Sequence, residues 1–301
     1  MNTNFKSGFI SIIGRPNVGK STLINRFVGQ KIAIMSDKPQ TTRNRIQGVL
    51  TNEEGQIIFI DTPGIHKPKH ALGDFMVQTA LKSTRGVDGV LVVVNATEPI
   101  GPGDRVVLDH VKLLDIPKFL VINKVDLIDQ SEIFDIIKTY TDEYEFDEVI
   151  PISATEGYNT DILLDKIMSI LPTGPQYYPA DQVVDHPEYF IVQELIREKV
   201  LHLTREEIPH SVAVQVESMH RDVEDQSVEI QAVIIVERKS QKGIIIGSQG
   251  KMIRNIRKRA EKDIEVLLGS KAYLEIWVKV QNSWRDRRHF LNEYGYRPDE
   301  Y

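Results

Sequence analysis

The sequence contains no cysteine, which excludes disulfide bonds and metal sites built on thiolates. It also lacks a long apolar run. The longest runs, such as residues 89–94, fall far short of the roughly 20 residues that a membrane-spanning helix needs. The first nine residues, MNTNFKSGF, contain one lysine and no apolar stretch, so we expect no signal peptide. These absences favour a reducing compartment such as the cytosol.

Charge is distributed unevenly along the 301 residues, whose formal net charge is −6. Residues 1–186 contain 18 basic and 24 acidic residues, and residues 187–301 contain 19 of each. Within 238–262, however, nine basic residues accompany a single acid, Glu261. Such a block is the usual electrostatic footprint for a phosphate backbone, although a solvated helix face has the same composition.

Residues 9–171 alternate between short apolar runs and amphipathic stretches. The runs predict strands at 9–13, 46–50, 57–60, 90–94, 119–122 and 149–152. The stretches between them predict helices at 20–28, 74–84, 104–114, 132–144 and 160–171. This alternation predicts a doubly wound α/β domain over residues 1–171.

Four prolines within residues 172–187 interrupt the alternation and predict a semi-rigid linker. Beyond it, the pattern predicts a helix at 188–203, two strands around 212–216 and 228–234 with a hairpin at 219–226, a helix at 250–262, a strand at 272–280 and a polar helix near 283–294. We therefore predict a compact α+β domain over 188–301, in the order α-β-β-α-β.

A phosphate-binding loop follows the first predicted strand. The pattern GxxxxGK[ST] between a strand and a helix is the P-loop signature. Its glycines let backbone N–H groups surround the phosphates, its lysine supplies a cation for the β- and γ-phosphates, and its hydroxyl can ligate Mg²⁺. The predicted nucleotide contacts are Gly14, Arg15, Pro16, Asn17, Val18, Gly19, Lys20, Ser21 and Thr22.

Two further segments are expected to meet this loop. The motif DTPG ends the third predicted strand, where an acid can hold Mg²⁺ and a glycine N–H can contact the γ-phosphate; taken alone, DTPG is also an ordinary turn. These contacts are Asp61, Thr62, Pro63 and Gly64. One hydroxyl of the polar loop 41–43 should complete the Mg²⁺ shell, and we favour Thr42 over Thr41. The predicted metal ligands are Ser21, Thr42 and Asp61.

The motif NKVD after the fifth predicted strand indicates specificity for guanine. The carboxylate of Asp126 can accept hydrogen bonds from N1–H and the 2-amino group of guanine, whereas adenine would leave it unpaired. Asn123 would tie this loop to the P-loop, and Lys124 would cover the base. After the next strand, Ser153 and Ala154 would offer a backbone N–H to guanine O6.

The side chain that usually orients the attacking water is missing. Many GTPases have a glutamine directly after the DxxG glycine, but here Ile65 occupies that position. We therefore predict slow turnover that something supplied from elsewhere accelerates. The amide oxygen of Asn17 is a candidate for holding K⁺ against the phosphates, although Asn17 also fits a role in shaping the loop. The residues assigned to catalysis are Asn17, Lys20, Thr42 and Gly64.

A second motif, GxxG, lies between the apolar run 244–246 and a helix, inside the basic block. Its two glycines would let a sugar-phosphate backbone approach closely, and the helix that follows presents its N–H groups to phosphate. A lone GxxG is a weak signal, but the two preceding strands and the charge strengthen it. The predicted RNA contacts are Lys242, Ile246, Gly247, Ser248, Gln249, Gly250, Lys251, Arg254, Arg257 and Lys258.

Together these motifs resemble one family, the Era GTPases, over essentially the whole chain. The matching segments are GRPNVGKS, QTTR, DTPG, NKVD, ISA, IIIGSQGKMI and LEIWVKV. The resemblance implies a P-loop GTPase domain followed by a type II KH domain. It also implies GTP and GDP as ligands, Mg²⁺ as cofactor, and a switch that binds the 3′ end of small-subunit ribosomal RNA and assists 30S subunit assembly.

The resemblance further implies a cytoplasmic protein that partly associates with the cytoplasmic face of the plasma membrane. One position departs from the pattern of KH loops, because Ser248 and Gln249 stand where a basic residue is frequent. Lys242 and Lys251 would then supply the positive charge.

The switch hypothesis is that the γ-phosphate orders residues 40–43 and the segment after Gly64, which changes how the KH domain sits across the linker. Two rival functions are a GTPase that escorts or modifies transfer RNA and an RNA-binding module with a structural GTPase domain. The first lacks a second catalytic constellation in 187–301. The second leaves the set Lys20, Ser21, Asp61 and Asp126 without a role.

Overall fold

The computed structural model describes residues 4–65 and 68–297. Its first part is built on a six-stranded sheet in the order β2-β3-β1-β4-β5-β6, in which β2 runs antiparallel to β3 and the other pairs are parallel. The strands are β1 (Lys6–Ile13), β2 (Ile46–Thr51), β3 (Gly55–Asp61), β4 (Gly89–Asn95), β5 (Lys118–Asn123) and β6 (Glu148–Ile152). The six predicted strands are confirmed, with small extensions at their ends.

Helices cover both faces of this sheet, and each face has its own hydrophobic cluster. Along β4, for example, Leu91 and Val93 belong to one cluster and Val90 and Val92 to the other. The helices are α1 (Lys20–Val28), α2 (Ala71–Lys82), α3 (Pro102–Lys112), α4 (Gln130–Thr141) and α5 (Thr160–Ile170). This confirms the doubly wound α/β fold. Because β1 lies between β3 and β4, the loops after these strands converge at the carboxyl edge where ligands bind in such folds.

The proline-rich segment after α5 is tied to the first sheet along its length. The N–H groups of Ser7 and Val49 donate to the carbonyls of Pro172 (3.0 Å) and Val183 (2.9 Å). The side chain of Gln56, which is fully buried, accepts from the N–H of Tyr178 at 2.9 Å. The segment therefore follows the sheet instead of bridging open space.

The C-terminal part is a three-stranded sheet in the order β7-β8-β9, in which β7 and β8 are antiparallel and β8 and β9 are parallel. The α+β prediction is confirmed. Its elements are α6 (Glu188–Leu203), α7 (Ile208–Ser211), β7 (Ala213–Arg221), β8 (Val228–Val236), α8 (Lys239–Ile246), α9 (Lys251–Leu268), β9 (Ala272–Val280) and α10 (Arg288–Glu293). Within the described residues, no helix is both long enough and apolar enough to cross a membrane.

Three details of this part differ from the sequence prediction. The apolar run 244–246 is the last turn of helix α8, so the GxxG loop joins two helices and the element order α-β-β-α-β was wrong. The side chain of Gln241 accepts from the N–H of Arg238, the residue that precedes α8, at 3.0 Å and thereby caps the helix. Strand β7 extends to Arg221, which shortens the predicted hairpin. The predicted helix at 283–294 is a 3₁₀ turn followed by α10, and Trp284 in that turn is fully buried and donates from Nε1 to the Ser211 carbonyl (2.9 Å).

Candidate nucleotide site and RNA surface

The P-loop joins β1 to α1 and places one buried cation beside one buried acid. Lys20 is 6% exposed, and its Nζ donates to the carbonyls of Gly14 (3.1 Å) and Arg15 (2.7 Å). Burial lowers the pKa of Lys20 to about 8, and the charge of Asp61 partly opposes that shift. Gly19 has a φ of 100°, and a Cβ there would lie 2.2 Å from Nδ2 of Asn123, so only glycine fits this loop position.

Three oxygen-bearing side chains converge next to Lys20. Ser21 Oγ donates to Asp61 Oδ2 at 2.8 Å and lies 2.9 Å from Thr42 Oγ1, which is itself 3.4 Å from Asp61 Oδ2. Asp61 is fully buried, and burial raises its pKa against the lowering effect of Lys20 and the hydroxyl donors. Its Oδ1 has no hydrogen-bond partner among the described residues. The hydroxyl of Thr41 instead donates to the Lys38 carbonyl at 2.6 Å, so the fold brings Thr42 and not Thr41 to the acid.

The side chains of two P-loop residues, Arg15 and Asn17, are hydrogen-bonded to other segments of the protein. Arg15 donates from Nε to Asp104 Oδ1 (2.8 Å) and from Nη2 to Glu98 Oε2 (2.9 Å), so only its backbone remains directed to the nucleotide loop. The predicted contact of Arg15 with nucleotide is therefore left to its backbone, because its guanidinium is bound to Asp104 of α3 and to Glu98. Asn17 has a φ of 64° and donates from Nδ2 to the Asp37 carbonyl at 2.7 Å.

The NKVD motif lies beside the P-loop. Asn123 is buried, donates from Nδ2 to the Val18 carbonyl (2.8 Å) and accepts at Oδ1 from the Ala154 N–H (2.9 Å). Lys124 donates from Nζ to the Asn17 carbonyl at 2.8 Å, and Asp126 is exposed in the 3₁₀ turn that follows.

The two N–H groups predicted to offer a contact to guanine O6, those of Ser153 and Ala154, have partners within the protein. The Ala154 N–H is used by Asn123, and the Ser153 N–H donates to the Tyr158 carbonyl at 3.1 Å. Both donors are thus engaged within the protein. Through these bonds the loop after β6 is tied to Asn123, and its contact with guanine stays a prediction.

The residue after Gly64 carries no polar side chain into the site. Ile65 is 2% exposed, and its side chain belongs to a core cluster while its N–H donates to the Gly14 carbonyl at 3.3 Å. Residues 66–67 of the segment predicted to respond to the γ-phosphate lie outside the described residues.

A cavity of about 530 Å³ lies over the P-loop, and its wall includes residues that no sequence motif indicates. The P-loop, Gly64 and Lys124 line one side, and residues of the loop between α1 and β2 line another. Glu198 and His202 of helix α6 also line it, although they belong to the C-terminal part of the chain.

The loop between α1 and β2, here called the 31–45 loop, is hydrogen-bonded to the C-terminal part of the chain on both sides of Thr42. Arg197 of α6 donates to the Thr41 carbonyl. Arg43 is 1% exposed and donates to the carbonyls of Val212 (2.6 Å) and Pro209 (3.2 Å). Sequence alone does not reveal this role, because an arginine in a polar loop ordinarily faces water.

Helix α2, which follows the DTPG segment, also contacts the C-terminal part. Leu72, Phe75 and Met76 share a hydrophobic cluster with Trp284 and Tyr296, and the rings of Phe75 and Tyr296 are 5.9 Å apart. Both segments expected to respond to the γ-phosphate therefore adjoin the interface between the N-terminal and C-terminal parts. The 31–45 loop contacts the C-terminal part directly, and the segment after Gly64 leads into α2, which packs against it.

The GxxG loop forms a tight turn between α8 and α9. Gly247 has a φ of 70°, and a Cβ there would lie 2.7 Å from Cβ of Met252, so a side chain is excluded. Gln249 and Gly250 are also left-handed, and the Gly250 N–H donates to the Gly247 carbonyl at 3.1 Å. Ser248 and Gln249 are exposed, whereas Ile246 is half-buried.

The basic residues of α9 form one exposed face. Lys251, Arg254 and Lys258 are exposed, and their spacing places them on the same side of the helix, while Ile256 and Ile264 are buried on the other. Arg257 is half-buried, and its Nε lies 3.8 Å from Glu261 on the same helix. Lys242 is half-buried in the middle of α8. Among the five predicted basic contacts, Arg257 is thus the least available to a ligand.

Comparison with known proteins agrees with this arrangement of sites. A family model described as "50S ribosome-binding GTPase" matches residues 9–124, and one described as "KH domain" matches residues 207–285. Among solved structures, the chain is similar to Era in complex with MgGDPNP and nucleotides 1506–1542 of 16S ribosomal RNA, with 40% identity and a TM-score of 0.93. That similarity covers 97% of this chain and 99% of the other.

The chain is similar to the same degree to a variant of Aquifex aeolicus Era bound to GDP and AlF4⁻, again with 40% identity, a TM-score of 0.93, and coverage of 97% and 99%. Identity at this level over nearly the full length of both chains goes beyond a shared fold. The chain therefore belongs to the Era family.

Proposed function

We propose that the protein is a GTP-hydrolysing switch that binds the 3′ end of small-subunit ribosomal RNA through its C-terminal domain and assists 30S subunit assembly. The observation that carries this proposal is the convergence of Ser21, Thr42 and Asp61 beside the P-loop lysine. Of these three, Thr42 lies in the loop that is also hydrogen-bonded to the C-terminal domain. The relative solved with MgGDPNP and 16S ribosomal RNA supports both ligand classes.

In the nucleotide-bound protein, Lys20 would exchange its two carbonyl partners for the β- and γ-phosphates. A phosphate beside it would restore the pKa that burial lowers. The P-loop N–H groups and the start of α1 would hold the remaining phosphate oxygens. The exposed carboxylate of Asp126, two residues after Lys124, would select guanine by accepting hydrogen bonds from its N1–H and its 2-amino group.

The three converging side chains suit Mg²⁺. This cation prefers oxygen ligands, and the site offers two hydroxyls and a buried carboxylate whose Oδ1 has no protein partner among the described residues. Ser21, Thr42 and Asp61 would hold it, and the bound cation would neutralise charge on the β- and γ-phosphate oxygens.

Hydrolysis would be slow without an added factor. Since Ile65 is apolar and buried, orientation of the water would fall to the Thr42 segment and Gly64, with Asn17 as a candidate ligand for K⁺. The Asn17 hydrogen bond to Asp37 uses Nδ2, and a cation would use the amide oxygen. Hydrolysis measured in potassium and in sodium buffers tests this assignment: we expect a faster rate in potassium, and equal rates would contradict it.

RNA would bind along the GxxG loop and the exposed face of α9. Gly247 and Gly250 keep the loop open to a phosphate backbone, and Lys251, Arg254 and Lys258 supply the salt-dependent attraction. The direct contacts between the 31–45 loop and the C-terminal domain provide a route by which nucleotide could alter RNA binding.

A turnover assay with and without the RNA tests the proposal. We expect phosphate release from GTP, none from ATP, and a rate that changes when an RNA carrying the 3′ end of the small-subunit ribosomal RNA is added. Turnover that is indifferent to that RNA would favour a structural or unrelated role for the GTPase domain. The cytoplasmic location and the contact with the plasma membrane stay predictions, which cell fractionation can check.

A further inference from the structure

Helix α6 of the C-terminal domain supplies part of the wall of the nucleotide cavity. Glu198 and His202 line it, and their spacing of four residues places both on the same side of α6. Neither residue is part of a GTPase motif, and neither is needed for the RNA surface on α9.

These two side chains hold the backbone N–H and the backbone carbonyl of one residue of the 31–45 loop, Met35. The Met35 N–H donates to Glu198 Oε1 at 2.9 Å, and His202 Nε2 lies 2.8 Å from the Met35 carbonyl oxygen. Because a carbonyl oxygen can only accept, Nε2 carries the proton in this contact. Residues 34–36 have no helix or strand of their own, so α6 supplies the partners that a neighbouring strand would otherwise provide.

Glu198 is itself fixed by charge. Its Oε2 lies 2.6 Å from Nζ of Lys31 and 2.6 Å from Nζ of Lys199, and both ammonium groups also contact Asp263 of α9. The carboxylate is 1% exposed. Burial by itself raises the pKa of Glu198, but the two lysines and the Met35 N–H outweigh it and hold the pKa below its usual range. The acceptor for Met35 is therefore ionised and held in place near neutral pH.

We propose that Glu198 and His202 are positioning residues of the nucleotide site, which hold residues 34–36 against the cavity and slow the release of bound nucleotide. The inference rests on the proposed binding of nucleotide in this cavity. The two residues act through Met35, whose neighbours Ile34 and Ser36 also line the cavity. Opening this wall requires breaking the contacts with α6, so docking of the C-terminal domain would set the rate of nucleotide release.

The test is the dissociation rate of fluorescent GDP, chased with excess unlabelled GDP, from full-length variants. Removing one hydrogen bond in His202→Ala should speed release about 3- to 10-fold. His202→Gln, whose amide nitrogen can reach a position close to Nε2, should keep the rate near that of the wild type. Glu198→Ala should speed release at least as much as His202→Ala.

Matched controls are His220→Ala and Glu217→Gln, two exposed residues of β7 that do not line the cavity. They should leave the release rate unchanged. The thermal midpoint of His202→Ala should also match the wild type, because His202 is an exposed side chain. Should Glu198→Ala fail to fold, His202→Ala and His202→Gln carry the test alone.

The outcomes separate this inference from the proposed function. If GDP binds normally but is released at the same rate from the wild type and from His202→Ala, the positioning role is overturned. The role is also overturned if His202→Gln releases GDP as fast as His202→Ala does. Failure of the wild type to bind GDP at all overturns the proposed function instead.

Discussion

At the residue scale, the nucleotide site depends on polar atoms that folding removes from water. Lys20 and Asp61 are buried next to each other, and each shifts the other's pKa toward the charged form. Their types and spacing were readable in the sequence because the P-loop and DTPG motifs fix which backbone positions meet. The partners of the Arg15 side chain and the Ala154 N–H could not be predicted, because they depend on how segments distant in sequence fold together.

Asp126→Asn should weaken GTP binding by about 100-fold or more, since two hydrogen bonds to a charged acceptor are lost. The same variant should bind xanthosine triphosphate better than the wild type, because the oxygen at C2 of xanthine accepts from an amide. Calorimetry with both nucleotides checks this. Asp135→Asn, exposed on α4, is the control, and a GTP affinity unchanged in Asp126→Asn would contradict the base-selection role.

The two neighbouring threonines provide a matched pair. Thr42→Ala should weaken a non-hydrolysable GTP analogue in Mg²⁺ by about 10-fold, while GDP binding stays nearly constant. Thr41→Ala should have a much smaller effect, because its hydroxyl bonds the Lys38 carbonyl. If Thr41→Ala were the more sensitive variant, the ligand assignment would have to be exchanged.

At the scale of elements, the strands of the first sheet were predictable because each is a continuous apolar run buried on both faces. Helix α8 was missed because Gly243 and three consecutive isoleucines are poor helix formers. Tertiary packing and the Gln241 cap overcome that preference. Helix α6 has apolar residues on all sides. Its sequence therefore does not indicate that its charged residues contact the 31–45 loop.

If RNA binds along the exposed face of α9, substitutions of its basic residues should lower RNA affinity. Arg254→Gln should lower RNA affinity and reduce the slope of log affinity against log salt by about one, as expected for one lost phosphate contact. Arg257→Gln should have a smaller effect, because Arg257 is half-buried and close to Glu261. Filter binding at several salt concentrations checks both, and equal losses for the two variants would argue against this face as the RNA surface.

At the scale of the whole molecule, the two domains are joined by buried polar contacts as well as by a hydrophobic cluster. Arg43 inserts into the C-terminal domain, and Lys31 and Lys199 bridge α6 and α9. The family resemblance covered both domains, yet no pattern indicated these contacts, because each pairs residues more than 60 positions apart. They link the cavity over the P-loop to α9, the helix with the exposed basic face.

The ion pairs of Asp263 with Lys31 and Lys199 should make the stability of the protein depend on pH. Burial by itself raises the pKa of Asp263, but Lys199 and Lys31 outweigh it and hold the pKa below its usual value. A carboxyl with a lowered pKa in the folded state stabilises the fold above its unfolded-state pKa, and the contribution disappears as the pH falls through the folded-state pKa.

Asp263→Asn should therefore lower the free energy of unfolding at pH 7 by about 1 kcal/mol, the scale of a partly exposed ion pair. The difference from the wild type should shrink in acid. Urea unfolding at pH 7 and at progressively lower pH checks this, and a difference that stays constant in acid would contradict the role of the ionised carboxylate.

We propose that nucleotide and RNA are coupled through the 31–45 loop and α6. The most direct measurement is the affinity of the full-length protein for an RNA carrying the 3′ end of the small-subunit ribosomal RNA, with GDP and with a non-hydrolysable GTP analogue. We expect tighter RNA binding with the analogue, and a smaller difference between the two nucleotides in Thr42→Ala. The same RNA affinity with both nucleotides in the wild type would contradict it.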